Sequence, residues 1–182
     1  MKNFLKLPAA LCLLAASTAW PAGFTLSSPD MVPGKPVAAT HILNAFGCTG
    51  ENKSPRLAWS GAPAGTKSFV LTIYDLDAPS DSGWWHWVVL DIPAGATELP
   101  AAVGLGGALP AGAREGRNDL GKPGFMGPCP PAGDKPHRYL FTLSALKVDK
   151  LELGDDATPA LVSYMTRLNR IAKASFTVRH GR

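Results

Sequence analysis

FVLTIY at residues 69–74, WWHWVVLDI at 84–92 and HRYLFTLSALKV at 137–148 are the segments that decide the fold of this chain. Each is rich in β-branched and aromatic residues, which favour β-strands. The second and third segments are apolar almost without interruption, which is typical of central strands buried on both faces. The sequence therefore predicts a β-sheet built around three strong strands.

Outward from these strands the remaining elements are shorter. Residues 57–60 and 175–179 are predicted to be further strands, and the glycine- and proline-rich residues 93–136 are predicted to be mostly loop. One helix is expected near the C-terminus, with Thr158 as its N-cap and Pro159 in the first helical position. An apolar stripe at helical spacing is predicted to pack on the sheet; it consists of Leu161, Tyr164, Met165, Leu168, Ile171 and Ala172. The fold class is mainly β with one C-terminal helix.

Length and composition fit one folded domain. The chain has 182 residues, of which 46% are apolar and 18% charged, and a chain of this size buries roughly 70% of its unfolded surface. This composition excludes a disordered chain.

The first twenty residues have the layout of a secretory signal peptide. Lys2 and Lys6 precede the apolar run 7–16, and small residues lead to a predicted cleavage site after Ala19. Residues 20–182 then form a single exported domain, periplasmic or secreted. Cleavage removes two lysines and lowers the formal charge from +4 to +2, so we expect no nucleic-acid partner. No other segment is apolar over the ~18 residues that a membrane helix needs, so no transmembrane segment is expected.

Two cysteines remain after cleavage, Cys48 and Cys129. An oxidising compartment favours a disulfide between them, which would stabilise the fold by ~3–5 kcal/mol. The alternative is a reactive thiol beside His137, but neither cysteine lies in a nucleophile motif.

Polar side chains are concentrated at the ends of the strong strands. Asp75 and Asp77 follow the first strand, and at a spacing of two both are expected on one side of an extended backbone. His86 is expected to share a face with Trp84 and Val88, and His137 shares a face with Tyr139. The pattern is compatible with one shared functional site. A turn in which the aspartates accept local backbone hydrogen bonds, together with histidines buried for structural reasons, would show the same pattern.

Four ordered motifs carry a more specific signal. They are DLDAP at 75–79, GWWHW at 83–87, GRND at 116–119, and GPCPP at 127–131 followed by PHRY at 136–139. Together they resemble the phosphatidylethanolamine-binding protein (PEBP) family, in particular its bacterial, Raf kinase inhibitor-like branch, from about residue 27 to residue 179. Leu76 stands where the family usually has proline, and Met126 where bacterial members commonly have glycine.

The resemblance implies a Greek-key β-sandwich with a small pocket for phosphate-like anions or phospholipid headgroups. Carried over by motif, the ligand-binding residues are Asp75, Asp77, His86, Pro130, Pro131, His137 and Tyr139. The resemblance also implies a cis Ala78–Pro79 bond.

A binding protein without turnover is the leading functional interpretation. The sequence has no nucleophile elbow, Walker loop or dinucleotide fingerprint, so we expect no enzyme activity, catalytic residue or cofactor. No close His-x-His or Glu-x-x-His pair indicates a metal site. Two alternatives stay open: an extracytoplasmic inhibitor or regulator of a protein partner such as a protease, and an ester hydrolase that uses the Asp/His cluster.

Overall fold

A computed structural model describes residues 23–182, which form two antiparallel sheets and one α-helix. The signal-peptide prediction for residues 1–19 lies outside the described residues. The strands are β1 (Thr25–Ser27), β2 (Leu57–Ser60), β3 (Ser68–Asp75), β4 (Trp84–Pro93), β5 (Glu98–Leu99), β6 (Arg114–Glu115), β7 (His137–Leu146) and β8 (Arg170–His180). A 3₁₀ turn spans Ala39–His41, and helix α1 spans Pro159–Asn169.

The large sheet has the order β6-β4-β3-β7-β8, and the small sheet the order β1-β2-β5. The three strong strands of the sequence are therefore neighbours at the centre of the large sheet. Since β3 is flanked by β4 and β7 and all three are covered on both faces over most of their length, their continuous apolar character is explained. The prediction of a mainly β fold is confirmed.

The inner face of the large sheet packs against the small sheet. Phe69, Leu71 and Ile73 alternate along β3 toward this core, and Trp59 of β2 meets Phe69 edge-on at 5.6 Å between ring centroids. The outer face of the sheet carries a smaller apolar cluster beneath α1. Each face has its own apolar cluster, which fixes the register of the central strands.

Helix α1 begins as predicted but presents a different face to the sheet. Thr158 caps it by accepting a hydrogen bond from the Leu161 backbone N–H at 3.2 Å, and Pro159 opens the first turn. The buried face consists of Pro159, Val162 and Thr166, at helical spacings of three and four residues.

The predicted stripe is therefore wrong as a packing face. Its members Leu161, Tyr164 and Leu168 are exposed, and only Met165 packs partly against the outer cluster. Leu161, Tyr164 and Leu168 lie on the side of the helix opposite the buried positions, since each residue turns the helix by about 100°. Ile171 and Ala172 belong to a strand, because the helix ends at Asn169 and β8 follows at once.

No helix within residues 23–182 has the length and apolar character to cross a membrane.

Candidate functional site

The ends of β3, β4 and β7 meet the loop 126–131 around a cavity of about 220 Å³. Asp75 is the last residue of β3, and its partners in the two ladders are Trp84 and Tyr139. The pairing of the central strands thus brings together residues that are far apart in the sequence. The lining consists of Phe46, Asp75, Ala78, Pro79, Trp84, His86, Leu120, Met126, Cys129, Pro130, Pro131, His137 and Tyr139.

A β-bulge aims His86 into this cavity. In the β3–β4 ladder Tyr74 pairs with Trp85 and Ile73 with Trp87, so His86 is an extra residue between the two pairs. A bulge changes the alternation of side chains. His86 therefore shares the inner face with Trp84, as expected, but Val88 lies on the outer face in the cluster beneath α1, contrary to expectation.

His86 is buried and bound to the loop on the opposite side of the cavity. Its Nδ1 lies 2.8 Å from the Met126 carbonyl oxygen, and the Met126 N–H donates to the His86 carbonyl at 2.9 Å. Burial lowers the pKa of His86, and the Met126 carbonyl and the charge of Asp75 only partly oppose this. The ring is therefore neutral at pH 7, with its proton on Nδ1 and an acceptor lone pair on Nε2.

Asp75 and His137 form a buried carboxylate–imidazole pair. The Asp75 Oδ2 lies 2.7 Å from His137 Nδ1, and its Oδ1 accepts the Asp77 backbone N–H at 2.9 Å. Burial acts to lower the pKa of His137, but the hydrogen bonds and charges of Asp75 and Asp134 outweigh it and raise the pKa. This imidazole therefore keeps its proton above the ordinary value of 6.5, and the pair is close to neutral overall.

Two hydrogen-bond donors of the lining have no protein acceptor. Within residues 23–182 the Tyr139 hydroxyl and the Trp84 Nε1 are shielded from solvent and have no hydrogen-bond partner. Burial raises the pKa of Tyr139, and the Asp75 carboxylate adds to this by its charge and as an acceptor near the hydroxyl, although the two groups do not form a hydrogen bond of normal geometry; the hydroxyl therefore keeps its proton. Buried donors without a partner are rare in native proteins because they cost free energy. Both residues line the cavity, and because each donor atom has almost no solvent-accessible surface, a ligand oxygen would satisfy it only after a small movement of the lining.

Six of the seven predicted site residues line the cavity, and Asp77 does not. It follows the end of β3, where strand alternation no longer applies, and its carboxylate accepts hydrogen bonds from Arg138 Nε at 2.8 Å and Nη2 at 2.7 Å. The Arg138 guanidinium lowers the pKa of Asp77 to about 2. Asp77 thus fastens the end of β3 to β7 beside the cavity.

The segment 126–131, which forms one wall of the cavity, is held in place by close contacts with Leu43 and Asn52. The Gly127 N–H donates to Asn52 Oδ1 at 2.8 Å, and a Cβ at Gly127 would lie only 2.6 Å from the Leu43 nitrogen. Cys129 is joined to Cys48 in a disulfide, as predicted, and the bridge ties this wall to the segment that carries Phe46. Glycine at 127 is required by this close approach.

The GRND motif supports the mouth of the cavity. Asn118 is buried; its Oδ1 accepts the Leu120 N–H at 2.9 Å and its Nδ2 donates to the Gly124 carbonyl at 3.1 Å. Asp119 accepts the Trp85 N–H at 2.8 Å. The motif therefore positions Leu120 and the start of β4.

Two expectations from the motifs have further outcomes. No peptide bond within residues 23–182 is cis, so the expectation of a cis Ala78–Pro79 bond is wrong; trans is the intrinsically preferred isomer of an X–Pro bond. Met126, which departs from the bacterial pattern, does line the cavity.

The described residues contain no cluster of three His, Cys, Asp or Glu side chains suited to a metal ion.

Comparison with known proteins decides the family. The model of the phosphatidylethanolamine-binding proteins matches residues 27–181. The chain belongs to the PEBP family. This confirms the resemblance carried by the four motifs, and the family match covers all three central strands and every predicted site residue.

Individual PEBP relatives agree with this assignment. UPF0098 protein YbcL of Escherichia coli K12 is 50% identical over 158 residues, which is 86% of each chain. UPF0098 protein YbhB of the same organism is 44% identical over 153 residues, 84% of this chain and 96% of its own. The crystal structure of E. coli YbcL superposes with a TM-score of 0.84 at 47% identity, covering 88% of this chain and 99% of that one. The PEBP fold is thus shared over nearly the whole described chain.

Sequence reasoning missed Trp84 and Phe46 as lining residues. Trp84 could have been found, because it lies two residues before His86 on the same face. Phe46 lies two residues before Cys48, and the Cys48–Cys129 bridge together with the contacts of Leu43 and Asn52 with loop 126–131 brings its segment to the cavity.

Proposed function

We propose that this chain is an exported, non-enzymatic binding protein whose cavity takes a phosphate-like oxyanion, such as that of a phospholipid headgroup. The observation that carries the proposal is the pair of shielded donors, the Tyr139 hydroxyl and the Trp84 indole N–H, without acceptors among the described residues. Phosphate oxygens accept strong hydrogen bonds from such groups. The Asp75 carboxylate does not oppose an anion fully, because His137 compensates its charge.

The acceptors of the cavity favour a zwitterionic ligand over a bare anion. His86 Nε2 carries a lone pair and lies 4.0 Å from Asp75 Oδ2, so that an acceptor and a carboxylate stand together. An ammonium group could meet this corner of the cavity while the phosphate meets the donors of Tyr139 and Trp84. Phosphoethanolamine combines both groups.

Anion affinity should fall as pH rises above 6.5. The raised pKa of His137 keeps this ring charged at and somewhat above that pH, and loss of the proton leaves the Asp75 charge uncompensated near the ligand. Titrations with phosphoethanolamine between pH 5 and 9 test this, and a flat profile contradicts the role of His137.

Export is supported by two features. The N-terminal sequence has the layout of a signal peptide, and the Cys48–Cys129 disulfide suits an oxidising compartment.

Ligand-detected thermal unfolding tests the proposal. A ligand at 100 times its Kd stabilises the native state by about 2.7 kcal/mol. Phosphate and phosphoethanolamine should raise the unfolding temperature of the wild type and raise it less in Tyr139→Phe, whereas ethanolamine alone should have little effect. The absence of a shift with either phosphate compound would refute the proposal.

A hydrolase is the second candidate because Asp75 orients the His137 ring, which could act as a general base once it loses the proton that Asp75 and Asp134 stabilise. The lining, however, contains no serine or threonine, and Cys129 is bonded to Cys48, so attack would require an activated water. Turnover of phosphate or acyl esters that is lost in both His86→Ala and His137→Ala would favour this candidate over the binding protein.

A further inference from the structure

A second cavity lies on the outer face of the large sheet, beside α1. Its volume is about 150 Å³, and strands β3, β4, β7 and β8 form it together with the helix. We call it the outer groove. Tyr74 faces it, whereas Asp75, the next residue of β3, faces the ligand cavity described above. The two cavities are thus on opposite faces of one sheet.

The outer groove combines hydroxyl groups with two cations. Thr142, Ser144, Ser163 and Thr166 are among the hydroxyl-bearing residues of its lining, and Arg170 and Lys173 supply positive charge. None of the lining residues is a carboxylate. Hydroxyls and cations without an acidic side chain form a surface that favours negatively charged ligands.

Arg170 and Lys173 have no counter-ion in the described part of the chain. The guanidinium groups of Arg56, Arg114 and Arg138 form ion pairs with carboxylates. Within residues 23–182 Arg117, Arg167 and Arg179 form none either, so it is their position in a cavity lined with hydroxyls that sets Arg170 and Lys173 apart. The two cations of the outer groove therefore have their charge available for a ligand.

Thr166 gives independent evidence for a ligand. The residue is 5% exposed and its hydroxyl has no hydrogen-bond partner among residues 23–182. A threonine within a helix commonly bonds the carbonyl four residues earlier, but this one does not, and its residue lines the outer groove instead. A buried hydroxyl without a partner is rare, and a ligand oxygen in the groove would satisfy it once the neighbouring atoms that shield the hydroxyl move aside.

We infer that the outer groove is a second binding site, for the phosphate or sulfate group of a small organic ligand. Arg170, Lys173 and the hydroxyls hold the oxyanion. Tyr74 and Trp85, whose ring centroids are 4.4 Å apart, form an aromatic wall beside it that suits a flat or apolar part of the same ligand.

NMR titration of the ¹⁵N-labelled protein tests the site. Inorganic phosphate and phenyl phosphate are added at constant ionic strength, with sodium chloride as the reference salt. We expect saturable shifts of the Ser163 and Thr166 amides, and tighter binding of phenyl phosphate than of phosphate. The shifts should persist in Tyr139→Phe, which separates this site from the ligand cavity. Shifts that do not saturate, or that equal those with chloride, would overturn the inference.

Variants locate the bound group. Arg170→Gln combined with Lys173→Gln should weaken phosphate binding at least tenfold, whereas Arg167→Gln, which removes a cation of helix α1 outside the groove, should leave it unchanged. Thr166→Val should weaken binding without loss of stability, because the hydroxyl has no protein partner to lose. If the double variant binds as the wild type does, the site is wrong; if phenyl phosphate binds no tighter than phosphate, the aromatic wall takes no part.

Discussion

Replacement of Tyr139 by phenylalanine should move stability and affinity in opposite directions. The hydroxyl is shielded and has no partner among residues 23–182, and a buried polar group left unsatisfied costs about 1–3 kcal/mol. Its removal leaves the ring, which is 1% exposed, in place. The free energy of unfolding of the unliganded protein should therefore stay the same or rise by up to that amount.

Affinity should fall because a hydrogen bond to a charged group is lost. Such a bond contributes about 1.5–3 kcal/mol, so we expect phosphate to bind roughly ten- to a hundredfold more weakly. Urea denaturation gives the stability, and NMR titration of the Trp84 indole N–H gives the affinity at this cavity.

Tyr164→Phe is the matched control. It makes the same chemical change on the exposed side of α1, where Tyr164 is 60% exposed, and neither stability nor affinity should change measurably. A destabilised Tyr139→Phe that binds phosphate as the wild type does would refute the reasoning, because the hydroxyl would then serve the fold.

Three further predictions concern the scaffold. Arg138 lowers the pKa of Asp77 from 3.8 to about 2, so the Asp77 carboxylate stabilises the fold above pH 4 and loses this effect as pH falls toward 2. Asp77→Asn should therefore flatten the dependence of the free energy of unfolding on pH between 5 and 2, as measured by urea denaturation at each pH. A variant whose stability falls with pH as steeply as that of the wild type would contradict this prediction. The Cys48–Cys129 bridge spans 81 residues, and its removal by serine at both positions should lower the free energy of unfolding by about 4.5 kcal/mol on the chain-entropy model; a loss below ~1 kcal/mol would count against it. Thr158→Ala should cost ~1 kcal/mol in the same assay, whereas Thr158→Ser should retain the cap, and equal stabilities would show that the cap is not needed.

The strands could be predicted because their signals are local. The three apolar segments are long, and their composition permits little besides buried strands. The N-cap at Thr158 could also be predicted from the sequence, since capping depends on a single side chain and the residue after it.

The failures arose where one residue changes a pattern. The bulge at His86 inserts a single residue and reverses the alternation that follows, which placed Val88 on the wrong face. The stripe predicted for α1 was wrong because the helix buries the opposite face, with Val162 and Thr166, and because the boundary with β8 falls after Asn169, inside the apolar period. Asp77 lies outside the lining of the cavity because it follows the end of β3, where strand alternation no longer applies.

The candidate site could be predicted in its members but not in its chemistry. The motifs brought Asp75, His86, His137 and Tyr139 together, yet their protonation depends on burial and on contacts with loop 126–131. Burial lowers the pKa of His86, and the Met126 carbonyl only partly opposes this, whereas Asp75 and Asp134 raise the pKa of His137 against the effect of burial. The His86–Met126 and His137–Asp75 contacts join residues 40 and 62 positions apart, and no sequence spacing indicates them.

The most direct test of the central claim is an NMR titration of the protein with phosphoethanolamine at pH 6, followed at the Trp84 indole N–H. If a ligand oxygen accepts a hydrogen bond from this shielded donor, the signal should show a saturable change in chemical shift. The affinity obtained from it should be lower in Tyr139→Phe and unchanged in Tyr164→Phe. A Trp84 signal that stays in place through the titration, while the protein remains folded, would contradict the claim that the cavity binds a phosphate-like oxyanion.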